Sequence, residues 1–545
     1  MIMAGNSSSM SVEDDDALLL QSRRRRYLIV RPEKGGIWDL LGSALWGGEA
    51  CKFLETNDHI DHQVEVLDDA ADRDEVYRTA SSWVILVSVI ARKIISTVGK
   101  PMEYTGYALD FFLNLLSLNG GLSGLLLNFL LGKVVIPERG SATFISTIGH
   151  LDGRIDLYNK GSPAPDDHDQ LVQLLGGQDS SGEPNRALMD LCVMASKLAY
   201  ENAKVVQTVV SRHWKMHFVD FFNCWNDFQK QMSTQVFILC DKPRDAKLIL
   251  ISFRGTEPFD ADDWCTDFDY SWYEIPKLGK VHMGFIEAMG LGNRNDISTL
   301  DHHLQSGGRF TTNRDQGNGD WQKSAYYLVK KKLKRLLAEN KDAKFVVTGH
   351  SLGAALAILF PTVLLLHQED ELMKRLLGVY TFGQPRIGNA QLGKFMAAHL
   401  EHPSHKYFRV VYCNDLVPRL PYDDKTFLYK HFGYCLYYDS FYIEQVHDVS
   451  DMGISSYYYV QEMQEEPNKN FFSLRNAVAV HLNAVWELLR SLTIGYTNGP
   501  EYREGWLSMC LRVVGVALPG ISAHSPINYV NSVRLGTTTQ HACLY

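Results

Sequence analysis

Lys344-Phe345-Val346-Val347-Thr348-Gly349-His350-Ser351-Leu352-Gly353-Ala354-Ala355 is the stretch that decides how this chain folds. It opens as an apolar, β-branched run of strand length. Leu352 to Leu365 continues it as an apolar helix with a kink expected at Pro361. Between the two, Gly-His-Ser-Leu-Gly matches G-x-S-x-G, the pattern in which a serine sits on a sharp, strained turn from strand to helix. Backbone crowds its neighbours at such a turn. Gly349 and Gly353 relieve that crowding, and Ala354 and Ala355 let the helix pack closely. The Ser351 hydroxyl is then presented above the sheet edge as a candidate nucleophile.

The flanking sequence agrees. Gln235 to Cys240 and Lys247 to Phe253 border a short Asp/Lys/Pro turn and predict a β-hairpin. Ser324 to Asn340 sets Ala325, Val329, Leu333, Leu336 and Leu337 on one helical face, with lysines opposite. Val379 to Phe382 and Phe408 to Tyr412 supply further strands. Strand, helix and strand in alternation imply the α/β class, with a mostly parallel central sheet and right-handed crossovers. Two stretches interrupt the pattern. Gly290 to Asp320, rich in Gly, Asn, Asp and Thr, reads as a surface insertion. Glu462 to Gly505, with Leu482, Val485, Leu488 and Leu489 at helical spacing, reads as a mostly helical one.

A serine hydroxyl is a weak nucleophile and needs a base, which in turn needs an orienting carboxylate. In α/β-hydrolases these follow in the order Ser, Asp/Glu, His. Asp415 lies just past the strand Phe408 to Tyr412, where a carboxylate faces the same crevice as the serine turn. Its alternative reading is an Asx-turn residue opening the loop. His431, His447, His481, His524 and His541 all follow it, and order alone does not choose among them. Negative charge on a tetrahedral intermediate also needs donors. One is the backbone N–H of Leu352; the other is expected in Phe253-Arg254-Gly255-Thr256, where an earlier strand ends.

The chain has 545 residues, 45% of them apolar and 21% charged, an ordinary globular mix. Its net charge of −9 carries no basic footprint for nucleic acid. Nine cysteines, an odd number with no zinc spacing, predict free thiols in a reducing compartment and no metal site. Near the start an acidic run, Glu13 to Asp16, precedes the basic run Arg23 to Arg26, the reverse of a secretory signal, so the protein is expected to face the cytosol. Residues 1–80 read as a polar N-terminal region, 81–137 as an apolar lipid-associating segment, 138–185 as a linker and 186–545 as the catalytic domain. Phe111 to Gly132 holds no charged residue for 22 positions. It reads as a spanning helix, as two short helices turning at Asn119-Gly120-Gly121 to dip into one leaflet, or as a helix pair covered by protein.

ISFRGTEPFDADDWCTDF (251–268), VHMGF (281–285), VVTGHSLGAALA (346–357), VYTFGQPRIGN (379–389) and NDLVPRLP (414–421), in that order, resemble the class 3 lipases. AHSPINYVNSVRLG (523–536) is similar to the family's stretch around the catalytic histidine. The resemblance implies an α/β-hydrolase fold with Ser351 as nucleophile, Asp415 as orienter and His524 as base. It implies Thr256 and Leu352 as oxyanion donors and no cofactor. Pro258 to Asp267 corresponds to the family's lid, with Phe259 and Trp264 flanking three aspartates; the alternative is a fixed surface turn with Trp264 in the core. Two departures stand out: Ala523 replaces an acid often found beside the histidine, and Asp415 and His524 lie 109 residues apart, farther than in compact fungal members. The apolar N-terminal region further resembles the plant oil-body lipases. That implies a triacylglycerol lipase at the lipid-droplet surface or the endoplasmic reticulum membrane, its catalytic domain facing the cytosol. A phospholipase A1 or galactolipid acyl hydrolase, or a catalytically silent anchored scaffold, are the alternatives.

Overall fold

The computed structural model describes residues 26–36, 39, 50–56, 83–157, 185–304, 320–401, 404–421, 429–445 and 474–538. Its strands begin with β1 (Tyr27–Val30), β2 (Leu54–Thr56), β3 (His217–Asn226), β4 (Gln231–Cys240), β5 (Leu248–Phe253), β6 (Trp272–Ile275) and β7 (Gly279–His282). They continue with β8 (Lys344–His350), β9 (Leu376–Phe382), β10 (Tyr407–Tyr412), β11 (Tyr434–Tyr438), β12 (Ile443–Gln445) and β13 (Thr537–Thr538).

Nine of these form one sheet in the order β13-β12-β11-β10-β9-β8-β5-β4-β3. At its centre β5, β8, β9, β10 and β11 run parallel, while β4 pairs antiparallel with β5 as the expected hairpin and β3, which the sequence reading did not include, adds a further antiparallel strand at that edge. The sheet is therefore mixed, with a parallel core. Its central strands are mostly apolar because both faces are covered, with Ser252, Thr348, Thr381 and Arg409 among their buried polar members. Phe345 and Val347 of β8 face a core shared with Leu333 and Leu356, whereas Val346 faces the opposite core with Leu191 and Val533. That alternation is the two-residue period of a strand.

The helices that matter for the site are α1 (Trp83–Leu118), α2 (Gly121–Leu130), α3 (Thr147–Leu151), α4 (Arg186–Leu198), α5 (Ala261–Asp267), α6 (Ala325–Glu339) and α7 (Leu352–Leu366). Three more close the fold: α8 (Leu474–Thr497), α9 (Trp506–Ala517) and α10 (Pro526–Leu535). α10 packs beside α4, where Arg534 Nε donates to Asp190 Oδ1 at 2.7 Å with both side chains buried.

The N-terminal boundaries fall differently from the expectation. β1 and β2 belong to a four-stranded sheet, β2-β1-β6-β7, so residues 27–30 and 54–56 are part of the catalytic body rather than a separate polar region. The start of α1 is also docked: Val84, Ile85 and Val89 are buried with Leu28, Phe53, Tyr270 and Tyr429. Within the expected linker, Asp152 is buried against Arg154 and Lys197, which hold its carboxyl well below the usual range. The expected insertion at 290–320 is only partly superficial. Ile297–Leu304 forms a helix whose Leu300 and Leu304 enter the core, and residues 305–319 lie outside those described.

The uncharged run breaks where glycine was expected to break it. Gly120, at φ 76°, separates α1 from α2. Asn114, a polar cost in an apolar segment, and Asn119, at the expected break, are both buried and bonded to returning backbone. Asn114 Oδ1 accepts the Ile145 N–H at 2.8 Å, and Asn119 Oδ1 accepts the Val135 N–H at 3.0 Å. These bonds fold residues 133–146 back along the helices. No described helix is long and apolar enough to cross a membrane.

Candidate active site

Ser351 stands between β8 and α7 with φ 59° and ψ −132°, a left-handed conformation that costs a residue with a side chain on the order of 1–3 kcal/mol. The flanking glycines are a steric necessity. A Cβ on Gly349 would lie 2.2 Å from the Gly353 carbonyl oxygen, and one on Gly353 would lie 2.4 Å from that of Phe253. The second clash explains why strand β5 and the serine turn approach so closely: their backbones touch there.

The structure brings Ser351, His524 and Asp415 together in one hydrogen-bonded line. The Ser351 hydroxyl lies 2.7 Å from His524 Nε2, and His524 Nδ1 lies 2.7 Å from Asp415 Oδ2. Asp415 follows the parallel strand β10, and His524 sits in a single 3-10 turn, Ser522–His524, just before α10. Asp415 is fully buried, and its Oδ1 accepts the Val417 N–H at 2.9 Å. The Tyr529 hydroxyl donates to Oδ2. A carboxylate so held accepts the Nδ1–H of the imidazole and leaves Nε2 free to take a proton from the serine.

His350 supports the base from behind. Its Nε2 donates to the His524 carbonyl at 3.0 Å and its Nδ1 accepts from Tyr200 at 2.8 Å, with the two imidazoles 4.5 Å apart. Burial holds the His350 pKa well below its usual value, with the neighbouring His524 adding to the effect, so His350 stays neutral there.

Leu352 is the first residue of α7, so its N–H has no intrahelical acceptor. Thr256 is buried beyond β5, and its hydroxyl donates to Asp267 Oδ2 at 2.7 Å. Burial pushes the Asp267 carboxyl up to about 7. Ser351 itself is buried, at 2% exposure. The segment expected to be a lid is the helix α5, capped by Asp260, whose carboxylate accepts the Asp262 and Asp263 N–H groups. Trp264 is half-buried and donates to the Pro258 carbonyl at 3.1 Å. α5 lies along α1: Gly106 leaves room for Phe259, where a Cβ would come within 2.6 Å, and Arg92 of α1 pairs with Asp269 at 2.9 Å.

The remaining histidines are elsewhere. His431 is partly buried and donates to the Pro418 carbonyl at 2.6 Å, and His481 is exposed on α8. His447 and His541 lie outside the described residues. Tyr529, Tyr200 and Asp267 were not anticipated. Tyr529 sits five residues past His524, on the one helix that docks the histidine, and that proximity is the only signal the sequence offers for it.

A class 3 lipase family model matches residues 250–425. The chain is 55% identical over 563 aligned residues to triacylglycerol lipase OBL1 of Nicotiana tabacum, covering 94% of each chain. It is 56% identical over 521 residues to triacylglycerol lipase OBL1 of Arabidopsis thaliana, covering 94% of this chain and 95% of that one. The protein of the same name from Ricinus communis is 45% identical over 533 residues, covering 94% of this chain and 95% of that one.

Proposed function

Because the chain belongs to the class 3 lipase family, we propose that it is a triacylglycerol lipase that cleaves the carboxylic ester bonds of stored neutral lipid at a droplet surface. The observation that carries this reading is the line from Asp415 through His524 to Ser351 on the strained turn.

In the proposed reaction Ser351 Oγ attacks the ester carbonyl while His524 Nε2 takes its proton. The Asp415 carboxylate stabilises the imidazolium that forms. The carbonyl oxygen becomes an oxyanion, received by the Leu352 N–H and by Thr256. As the intermediate collapses, His524 gives its proton to the departing glycerol oxygen, leaving an acyl-serine. Water then enters and attacks the acyl carbon while losing a proton to His524, and His524 returns that proton to Ser351 Oγ as the acyl–oxygen bond breaks and the fatty acid leaves. Thr256 needs its position more than its free hydroxyl, because Asp267 already tethers that hydroxyl. No step draws on a cofactor.

Opening of α5, with Phe259 and Trp264, admits the acyl chain in this reading. Attachment to the droplet or to the endoplasmic reticulum membrane belongs to the end of α1 and to α2, with the catalytic body on the cytosolic side. α2 has no buried residue, and its Leu130 is 81% exposed. A hairpin returning on itself suits a droplet, which offers a single lipid monolayer.

Ser351→Ala tests the proposal on three substrates: emulsified triacylglycerol, phosphatidylcholine and a soluble short-chain ester. Turnover should fall on the order of 10⁴-fold or more on each that wild type cleaves. Wild-type turnover in folded Ser351→Ala protein would overturn the mechanism. Preference for phosphatidylcholine over triacylglycerol would overturn the substrate.

A further inference from the structure

The helices α8 and α9 are built inside out. Their charged side chains point inward: Arg512 Nη1 pairs with Glu487 at 3.1 Å, and its Nη2 pairs with Glu504 at 2.8 Å, all three buried. Arg490 turns inward as well, donating to the Tyr412 hydroxyl at 3.0 Å. The outward positions are apolar. From Val478 to Thr497 and from Trp506 to Leu518 no exposed residue is Asp, Glu, Lys or Arg, and Leu482, Leu489, Leu492, Val513, Val514 and Leu518 are among the exposed ones.

Soluble proteins place charge outside because an ion out of water is costly and an apolar side chain in water gains nothing. Here both rules are reversed on one surface. Trp486, Tyr496 and Trp506 are 39%, 86% and 58% exposed, which at on the order of 200 Å² per aromatic side chain leaves roughly 350 Å² open from three residues. That area alone matches the largest apolar patch of an ordinary soluble monomer, and the leucines and valines enlarge it.

We infer that the outward faces of α8 and α9 enter the lipid phase and seat the His524 side of the active site on the surface that supplies its substrate. This rests on the ester-hydrolase reading above and adds to it a second lipid contact, remote in sequence from α2. Charge complementarity favours an uncharged hydrocarbon occupant over a protein. A protein interface carries a polar rim with charged groups, whereas the polar side chains exposed on these helices are the few of His481, Thr493, Tyr496 and Thr497, with the indoles of Trp486 and Trp506. Exposed charge appears instead at the connection, at Glu501 and Arg503.

The surface is also tied to the chemistry. Arg512 Nη2 donates to Asn528 Oδ1 at 2.8 Å, and Asn528 Nδ2 donates to the Ser522 and Ala523 carbonyls at 2.9 and 3.1 Å. Those two carbonyls belong to the turn that presents His524. Exposed Ile521 continues the apolar face to within three residues of the base.

Leu482→Glu with Val513→Glu, at positions 64% and 59% exposed, tests this in the full chain. Tyr496→Lys, at the far end of α8, is the second variant. Each is assayed on a soluble short-chain ester and on triolein droplets coated with phosphatidylcholine. Soluble-ester turnover should stay within about twofold of wild type, while droplet hydrolysis and droplet flotation should each fall about tenfold, since each new charge must leave water to enter the surface. Leu482→Met with Val513→Leu should behave as wild type. Three results would overturn the inference. Wild-type droplet hydrolysis in both charged variants is one. Loss of soluble-ester turnover in both is another, because the face is then part of the packed fold. The third is a wild-type dimer without lipid that the glutamates split, which makes the face a contact between copies. If wild type cleaves neither substrate, the ester-hydrolase reading fails, and flotation alone still decides the lipid contact.

Discussion

The two ends of the N-terminal hairpin are alike in composition and opposite in fate. Val84, Ile85 and Val89, at the start of α1, are buried against β1, Phe53, Tyr270 and Tyr429. Leu122, Leu126, Phe129 and Leu130 of α2 face outward. Hydropathy does not separate them. The docked end meets a prepared surface, because β1 and β6 pair to offer apolar side chains and Arg92 finds a buried carboxylate at Asp269. The outward end meets only its own returning backbone, through Asn119. An apolar segment is thus docked at the start of α1 and available at α2, beyond the break at Gly120.

The difference can be broken outright. Deleting residues 83–137 removes both ends, and the largest expected effect is loss of the folded protein: no soluble-ester turnover and no cooperative unfolding transition. Deleting 121–132 alone removes only the outward end and should leave a cooperative transition, which calorimetry distinguishes.

The docked end also borders a pH-sensitive group. α5 lies on α1 and ends at Asp267, whose folded-state pKa of about 7 exceeds the unfolded value of 3.8. Burial raises it, so its contribution is present below pH 3.8 and is lost as pH rises toward 7. At about 1.4 kcal/mol per unit, up to about 4 kcal/mol is at stake. Asp267→Asn should therefore gain stability relative to wild type as pH rises from 4 to 8 in urea titrations. A constant difference across that range sinks the assignment.

Finer probes sharpen the contrast. Ile85→Ala should destabilise by about 2–4 kcal/mol, because a fully buried side chain leaves a cavity. Leu130→Ser should shift stability by less than about 0.5 kcal/mol yet lower droplet flotation measurably. Equal destabilisation by the two substitutions would erase the distinction between the ends.

How legible these features are in the sequence follows the same line. Gly349 and Gly353 can be read because the constraint is local: a Cβ at either position collides within a few residues or with the adjacent strand. The central strands are legible for a similar reason, each being a continuous apolar run bounded by turn residues. β1 is not, since its four residues join the catalytic body through Trp272 and Tyr273, more than 240 positions away, and their nearer partner β2 is only three residues long. Asn114 looks like a polar cost in an apolar run and Asn119 like part of the break beside Gly120, and only folded backbone reveals both as hinges of the return. His524 could be singled out by resemblance but not by order, because its nearness to Ser351 depends on α10 docking against α4. Tyr529 and Asp267 stayed hidden because their partners lie elsewhere in the chain or in a loop of no regular pattern.

The Arg534–Asp190 pair joins residues 344 positions apart, whereas β4, β5 and β8 assemble around the serine turn over much shorter separations. Loop closure makes distant contacts the slower ones to form during folding. The serine turn can therefore take shape before the histidine reaches it. Until α10 docks, Ser351 is an unassisted alcohol, and a chain caught part-way through maturation does no damage to the lipids around it.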